Sequence, residues 1–221
     1  MDTEQLIELY PRLYHMATAG SWPSIQQNGL WTTEQIATSA GLDQEQIDHL
    51  LRVRRPHSVR LDHPTLGPMT VRDQVPLRLV LLERSLTDLT VEEWLETLNN
   101  RVFFWLHESR LARLLGAKHY RREEHDVLVL DTRSLIDAHG DRVRLAPMNT
   151  GSTLFPNNLT RGSDTFAKVA DFNYEDRRRG RSLPDRIVEL AVLDGVHDIA
   201  RFVVGVQRRR GPDVVQEISL V

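Results

Sequence analysis

The chain has no cysteine in its 221 residues, and only two of its 28 basic residues, Lys118 and Lys168, are lysine. Without cysteine there is no disulfide framework, no thiol nucleophile and no thiolate zinc site. No apolar run approaches the roughly 18 residues that a membrane-spanning helix needs. The opening Met1-Asp2-Thr3-Glu4 is acidic and lacks the apolar stretch of a secretory signal. These absences point to a cytoplasmic protein with no membrane partner. There is also no glycine-rich dinucleotide or P-loop fingerprint and no His-Glu-x-x-His pair for zinc. Gly-x-Ser-x-Gly is missing too, so a serine hydrolase has no support. The nine histidines are scattered, and no metal site is expected.

The length suits one domain, or one domain with a small insertion, with enough residues for a core that needs no covalent staples. The net charge of −3 is too near neutral for bulk capture of nucleic acid. The 26 arginines fit an arginine-rich codon usage. They also offer planar forks for phosphates and carboxylates wherever they cluster.

Local patterns divide the chain into helices and strands. Leu6 to Tyr10 reads as a short helix ended by Pro11, and Arg12 to Met16 as a strand. Ser21 is placed to cap a helix closed by Asn28-Gly29, Thr32 or Thr33 a second, and Asp43 a third. Prolines 56, 64, 68 and 76 with Gly67 mark a loose hairpin or elaborated loop. A leucine-rich helix follows at about 77–86, and Thr90-Val91-Glu92-Glu93 opens another. Arg101-Val102-Phe103-Phe104-Trp105 and Asp126 to Leu130 read as buried strands, with a helix at 107–116 between them. Arg142 to Leu145 alternates like an edge strand. Residues 146–164 read as loop, and residues 173–185 are polar and basic. Arg186 to Val192 and Ala200 to Val206 read as the last strands. The expected class is α+β, with a central sheet and helices concentrated in the N-terminal half.

Three groups of residues carry possible chemistry. Tyr14-His15, followed by Thr18, places hydrogen-bonding groups at one sheet edge; a packed tyrosine beside a surface histidine is the plainer alternative. Glu189 sits inside Ile187-Val188-Glu189-Leu190-Ala191-Val192. A carboxylate in so apolar a strand is costly unless it is paired or used, although an edge strand turning Glu189 to water also fits. Arg101 and Arg110 flank the aromatic strand, and near a helix start either of them, with Ser109, would hold a diphosphate. The runs Arg177-Arg178-Arg179 with Arg181, and Arg208-Arg209-Arg210, read as loop clusters that are solvated or steer a polyanion.

The order of these blocks resembles the DarT-like ADP-ribosyltransferases. Leu13-Tyr14-His15-Met16-Ala17-Thr18 with Trp22-Pro23-Ser24-Ile25 and Asn28-Gly29-Leu30 resembles the family's opening. Val102-Phe103-Phe104-Trp105 resembles its aromatic strand, and Glu189-Leu190-Ala191-Val192 the segment with its catalytic glutamate. The resemblance implies one ADP-ribosyltransferase-like domain over residues 1–221, built on a split, mostly antiparallel sheet that grips NAD as co-substrate. A helical insertion at about 43–98 lengthens the interval between the first two blocks. Glu189 and His15 would be catalytic; Tyr14, His15, Thr18, Arg101, Arg110 and Ser109 would contact NAD. The family's arginine aligns with Ser109, next to Arg110, which leaves the diphosphate contact open. Asn149, Thr150 and Arg161, in the loop from 149 to 162, would meet the acceptor. The implied activity is transfer of ADP-ribose to a macromolecule, DNA or RNA among the candidates, as a toxin or defence effector with an antitoxin or hydrolase partner. An NAD glycohydrolase and an inactive nucleotide- or nucleic-acid-binding module are the alternatives on the same fold.

Overall fold

A computed structural model of the chain describes residues 1–154 and 159–220. The first helix, α1 (Thr3–Leu9), is capped by Asp2 and leads through Pro11 into β1 (Arg12–Thr18). Three helices follow: α2 (Trp22–Asn28), α3 (Thr33–Ser39) and α4 (Gln44–Arg52). Ser21 stands at the head of α2 without a capping bond, whereas Thr32 with Gln35 and Asp43 with Gln46 build capping boxes for α3 and α4. The proline-rich stretch folds into an antiparallel hairpin of β2 (Val59–His63) and β3 (Gly67–Val71). Then come α5 (Leu79–Ser85) and α6 (Val91–Asn99), the latter headed by the Thr90–Glu93 box, and β4 (Arg101–Trp105). The second half holds α7 (Glu108–Leu115), β5 (Glu124–Asp131), α8 (Thr132–His139), β6 (Val143–Ala146), α9 (Tyr174–Arg178), α10 (Leu183–Arg186), β7 (Glu189–Leu193), β8 (Val203–Arg210) and β9 (Asp213–Ile218).

The chain is α+β. Seven strands form one sheet in the order β6-β7-β4-β1-β5-β8-β9, and each of its ladders is antiparallel. The ladders differ greatly in length. β1 pairs with β5 along its whole length, from Arg12↔Asp131 to Thr18↔His125. β4 pairs with β7 from Arg101↔Leu193 to Trp105↔Glu189. β1 and β4 share the single register pair Tyr14↔Trp105. The sheet is therefore two ladders joined at one point, and the strands part on either side of it.

Several expectations need correction. The helices are not concentrated in the first half: α7 to α10 follow β4. Within the interval 43–98, the loose hairpin expected at the prolines is the β2–β3 hairpin, between α4 and α5. Residues 174–178 and 183–186 are short helices, and the strand expected from Arg186 starts only at Glu189. The strand expected from Ala200 starts at Val203 and runs on to Arg210, so Arg208 to Arg210 are strand residues rather than loop. Their side chains meet partners distant in sequence, in Asp126, Glu108 and Glu124. Of the loop expected at 146–164, residues 155–158 lie outside the described residues.

The main core lies on one face of the sheet, where Leu13, Phe104, Leu128 and Leu190 pack with Leu6 of α1, Trp22 of α2 and Leu135 of α8. Burying each such side chain stabilises the fold by about 1.5–3 kcal/mol. A separate cluster joins Leu82 of α5 and Trp94 and Leu95 of α6 to Phe103 and Phe166. It fixes the insertion against β4. Among the described residues, no helix is long and apolar enough to cross a membrane.

Candidate active site

Where β1 and β4 part, a cavity of about 620 Å³ opens. Its wall takes His15 and Thr18 from β1, Phe103 from β4, Glu189 from β7, the hairpin segment 68–74 and the loop at 149–151. The β1–α2 turn closes one side. That turn is tied down by Asp126 of β5, which is wholly buried. Its Oδ2 accepts the N–H groups of Gly20 at 2.8 Å and Trp22 at 3.2 Å, while Oδ1 takes Arg208 Nε at 2.8 Å. At the far end of α2, Gly29 has a φ of +85° and a Cβ there would lie 2.3 Å from the His197 backbone. Only glycine lets the chain pass so close.

Glu189 begins β7, which lies between β6 and β4, and it is 5% exposed. The reading of an edge-strand glutamate facing water is thereby excluded. Thr150 donates to one of its oxygens twice: the backbone N–H reaches Oε2 at 3.0 Å and the hydroxyl at 2.6 Å. Neither bond is to Oε1. Burial raises the carboxyl from 4.5 to about 7, against the two Thr150 bonds and the charges of Arg161 and Arg110, which lower it. The group is thus poised between its acid and base forms near neutral pH.

His15 presents a different chemistry. Its Nδ1 lies 2.8 Å from the carbonyl oxygen of Phe103, across the gap between β1 and β4. A carbonyl only accepts, so Nδ1 carries the proton and Nε2 keeps its lone pair. Desolvation lowers the pKa to about 4, outweighing the carbonyl bond, and the charge of Arg72 adds to the lowering. The ring is neutral at pH 7, an acceptor rather than an acid.

The cavity therefore gathers His15, Thr18, Arg101, Asn149, Thr150 and Glu189 of the expected residues. The other four lie off its wall. Tyr14 packs instead with Leu111, Leu115 and Val127. Ser109 bonds the ring of His107 at 3.0 Å. Arg110 is held by Asp185 and by the Pro184 carbonyl at 3.0 Å, so it braces α7 against α10. Arg161 is 2% exposed and donates to the carbonyls of Ser152 at 2.7 Å and Asn149 at 3.4 Å and to Ser85 Oγ of α5 at 3.3 Å, while its Nε is buried without a partner. It holds the backbone on both sides of Thr150 and so positions the residue that bonds Glu189. Arg101 lines the cavity, but its end donates to the Thr97 carbonyl and lies over the Phe166 ring.

The wall residues from outside the expected set include Trp31, Arg55 and Arg72. Trp31 follows Gly29-Leu30, which did mark the opening block. Arg55 and Arg72 flank the proline-rich stretch, and nothing in their local sequence pointed to a site. Among the described residues, no three His, Asp or Glu side chains group as metal ligands would. No curated protein matches the chain. The model of DUF7002, a family of unknown function, matches residues 11–203, and the chain belongs to that family.

Proposed function

We propose that the protein is an NAD-dependent ADP-ribosyltransferase, cleaving the bond between nicotinamide and ribose and passing ADP-ribose to a macromolecular acceptor. One observation carries this reading: a buried carboxylate, Glu189, and a neutral imidazole, His15, line one cavity at the point where the sheet parts.

The chemistry requires such a pair. When the glycosidic bond breaks, the bonding electrons leave with nicotinamide and the ribose is left with positive charge. A fixed carboxylate beside that charge lowers the barrier, more so in a wall that excludes water. The acceptor then bonds to the ribose carbon and gives up a proton. A carboxylate with a pKa near 7 is suited to take that proton and release it to solvent. In this reading His15 Nε2, which keeps its lone pair, accepts a hydrogen bond from a ribose hydroxyl, and the Thr150 bonds keep Glu189 from turning away.

The test is to incubate the protein with NAD, with and without single-stranded DNA or RNA, and to follow nicotinamide and the mass of the acceptor. An acceptor heavier by one ADP-ribose unit supports transfer. Free ADP-ribose as the sole sugar product makes water the acceptor and the protein a glycohydrolase. No release of nicotinamide under any of these conditions overturns the proposal.

A further inference from the structure

Four arginines line the cavity: Arg55, Arg60, Arg72 and Arg101. Their partners distinguish them. Arg55 is buried and fully engaged, donating to Asn99 Oδ1 at 2.7 Å, to the Arg72 carbonyl at 3.0 Å and to the Leu50 carbonyl. Arg60 is exposed beside Asp62. Arg101 is held by Thr97 and Phe166, as described above. Arg72 and Arg101 each bury a nitrogen without a hydrogen-bond partner, but Arg101 loses only its inner Nε, whereas at Arg72 it is the terminal Nη1.

The position of Arg72 is fixed from several sides. It directly follows β3, at Val71, which is buried. Its carbonyl takes the Arg55 bond just described, and Gln74 ties the same segment to Arg55 through its N–H at 2.7 Å and its side-chain oxygen at 3.1 Å. Its guanidinium carbon lies 5.3 Å from the centre of the Tyr120 ring. The nearest carboxylate, Asp73, stands 3.9 Å from Nη2. That carboxylate is already bonded by Tyr120 at 3.0 Å, the Val75 N–H at 3.2 Å and Ser58 at 3.3 Å. Arg72 thus brings a preorganised cation with an unsatisfied buried donor to a ligand-sized space. A buried guanidinium nitrogen without a partner is costly, and an anionic oxygen is the ligand group that satisfies it best.

We propose that Arg72, carried in by the β2–β3 hairpin, is a phosphate-binding residue of this cavity and receives the diphosphate of a nucleoside diphosphate ester. The choice of diphosphate ester rests on the transferase reading; the phosphate site itself does not. Arg110, the helix-start arginine expected for this contact, is already bound to Asp185. The insertion then has a purpose in binding, since it supplies the charge that the first part of α7 does not.

The experiment is calorimetric titration of the full chain with ADP-ribose, pyrophosphate and adenosine, for the wild type and Arg72→Gln. Wild type is expected to bind ADP-ribose and pyrophosphate, and Arg72→Gln to bind both about tenfold or more weakly, with adenosine unchanged. Arg72→Met keeps the stem over Tyr120 and serves as a second variant with the same expectation. Equal affinity of wild type and both variants for ADP-ribose and pyrophosphate overturns the proposal, as does a wild type that binds neither. The two readings fail separately. Phosphate binding through Arg72 without nicotinamide release leaves this site standing and removes the transferase. Nicotinamide release with an unchanged KM for NAD in Arg72→Gln does the reverse.

Discussion

Thr150 gives Glu189 two hydrogen bonds on one oxygen, 3.0 Å from its backbone N–H and 2.6 Å from its hydroxyl. Both bonds favour the ionised carboxylate, whereas burial favours the protonated form. Thr150→Val keeps the shape and the backbone bond but removes the hydroxyl. The Glu189 pKa is then expected to rise above about 7, and the acid limb of NAD turnover to move to higher pH. Thr150→Ser is expected to stay near wild type. The pH profile of nicotinamide release measures this shift.

Glu189 also leaves a signature in stability. Its folded pKa, about 7, is above the ordinary 4.5, so the folded state holds the proton more tightly than the unfolded chain. Its favourable contribution is complete below pH 4.5 and is lost as pH rises through 7. Glu189→Gln has no charge to bury and its carbonyl still accepts from Thr150. It is expected to match wild type near pH 4.5 and to exceed it at pH 8 by about 3 kcal/mol, taking 1.36 kcal/mol per pKa unit. Denaturant melts at the two pH values give the comparison.

His15 acts in the opposite sense. Its folded pKa, about 4, lies below the ordinary 6.5, so its contribution is present above pH 6.5 and is lost as pH falls through 4. Between pH 4.5 and 6.5 the two residues offset each other, which is why the Glu189→Gln comparison is needed to see either alone. Long-range 1H–15N correlation spectra are expected to find His15 neutral at pH 6, with the proton on Nδ1. A titration midpoint near 6.5 would contradict the environment described here.

Arg161 supports the site from behind. Arg161→Met removes the donors to Ser152 and Asn149 and leaves two part-buried carbonyls without them. The expected cost is about 1–3 kcal/mol per unsatisfied group. If Arg161 positions Thr150, kcat falls and the KM for NAD changes little. A raised KM with kcat intact would instead make Arg161 a substrate contact.

Much of this could be read from local sequence. Val102-Phe103-Phe104-Trp105 announces an inner strand by its unbroken apolarity, and Glu189 stands out because a lone carboxylate interrupts another. Capping boxes at Thr32, Asp43 and Thr90 mark helix starts within four residues. The features that sequence reading missed depend on contacts between distant residues. Arg208 to Arg210 look like a solvated run until Asp126, Glu108 and Glu124 are brought beside them. Arg72 looks like any loop arginine until the hairpin folds back and Arg55 bonds its carbonyl. Tyr14 and His15 are neighbours in sequence but face different surroundings, and only the parting of β1 from β4 gives His15 the Phe103 carbonyl.

The central claim is that Glu189 is the carboxylate that acts on the ribose of NAD. Nicotinamide release by wild type and Glu189→Gln, measured at pH 8 on protein shown to be folded, tests it most directly. The account expects the variant to lose about a hundredfold or more of the rate. Equal release by the two proteins would contradict it.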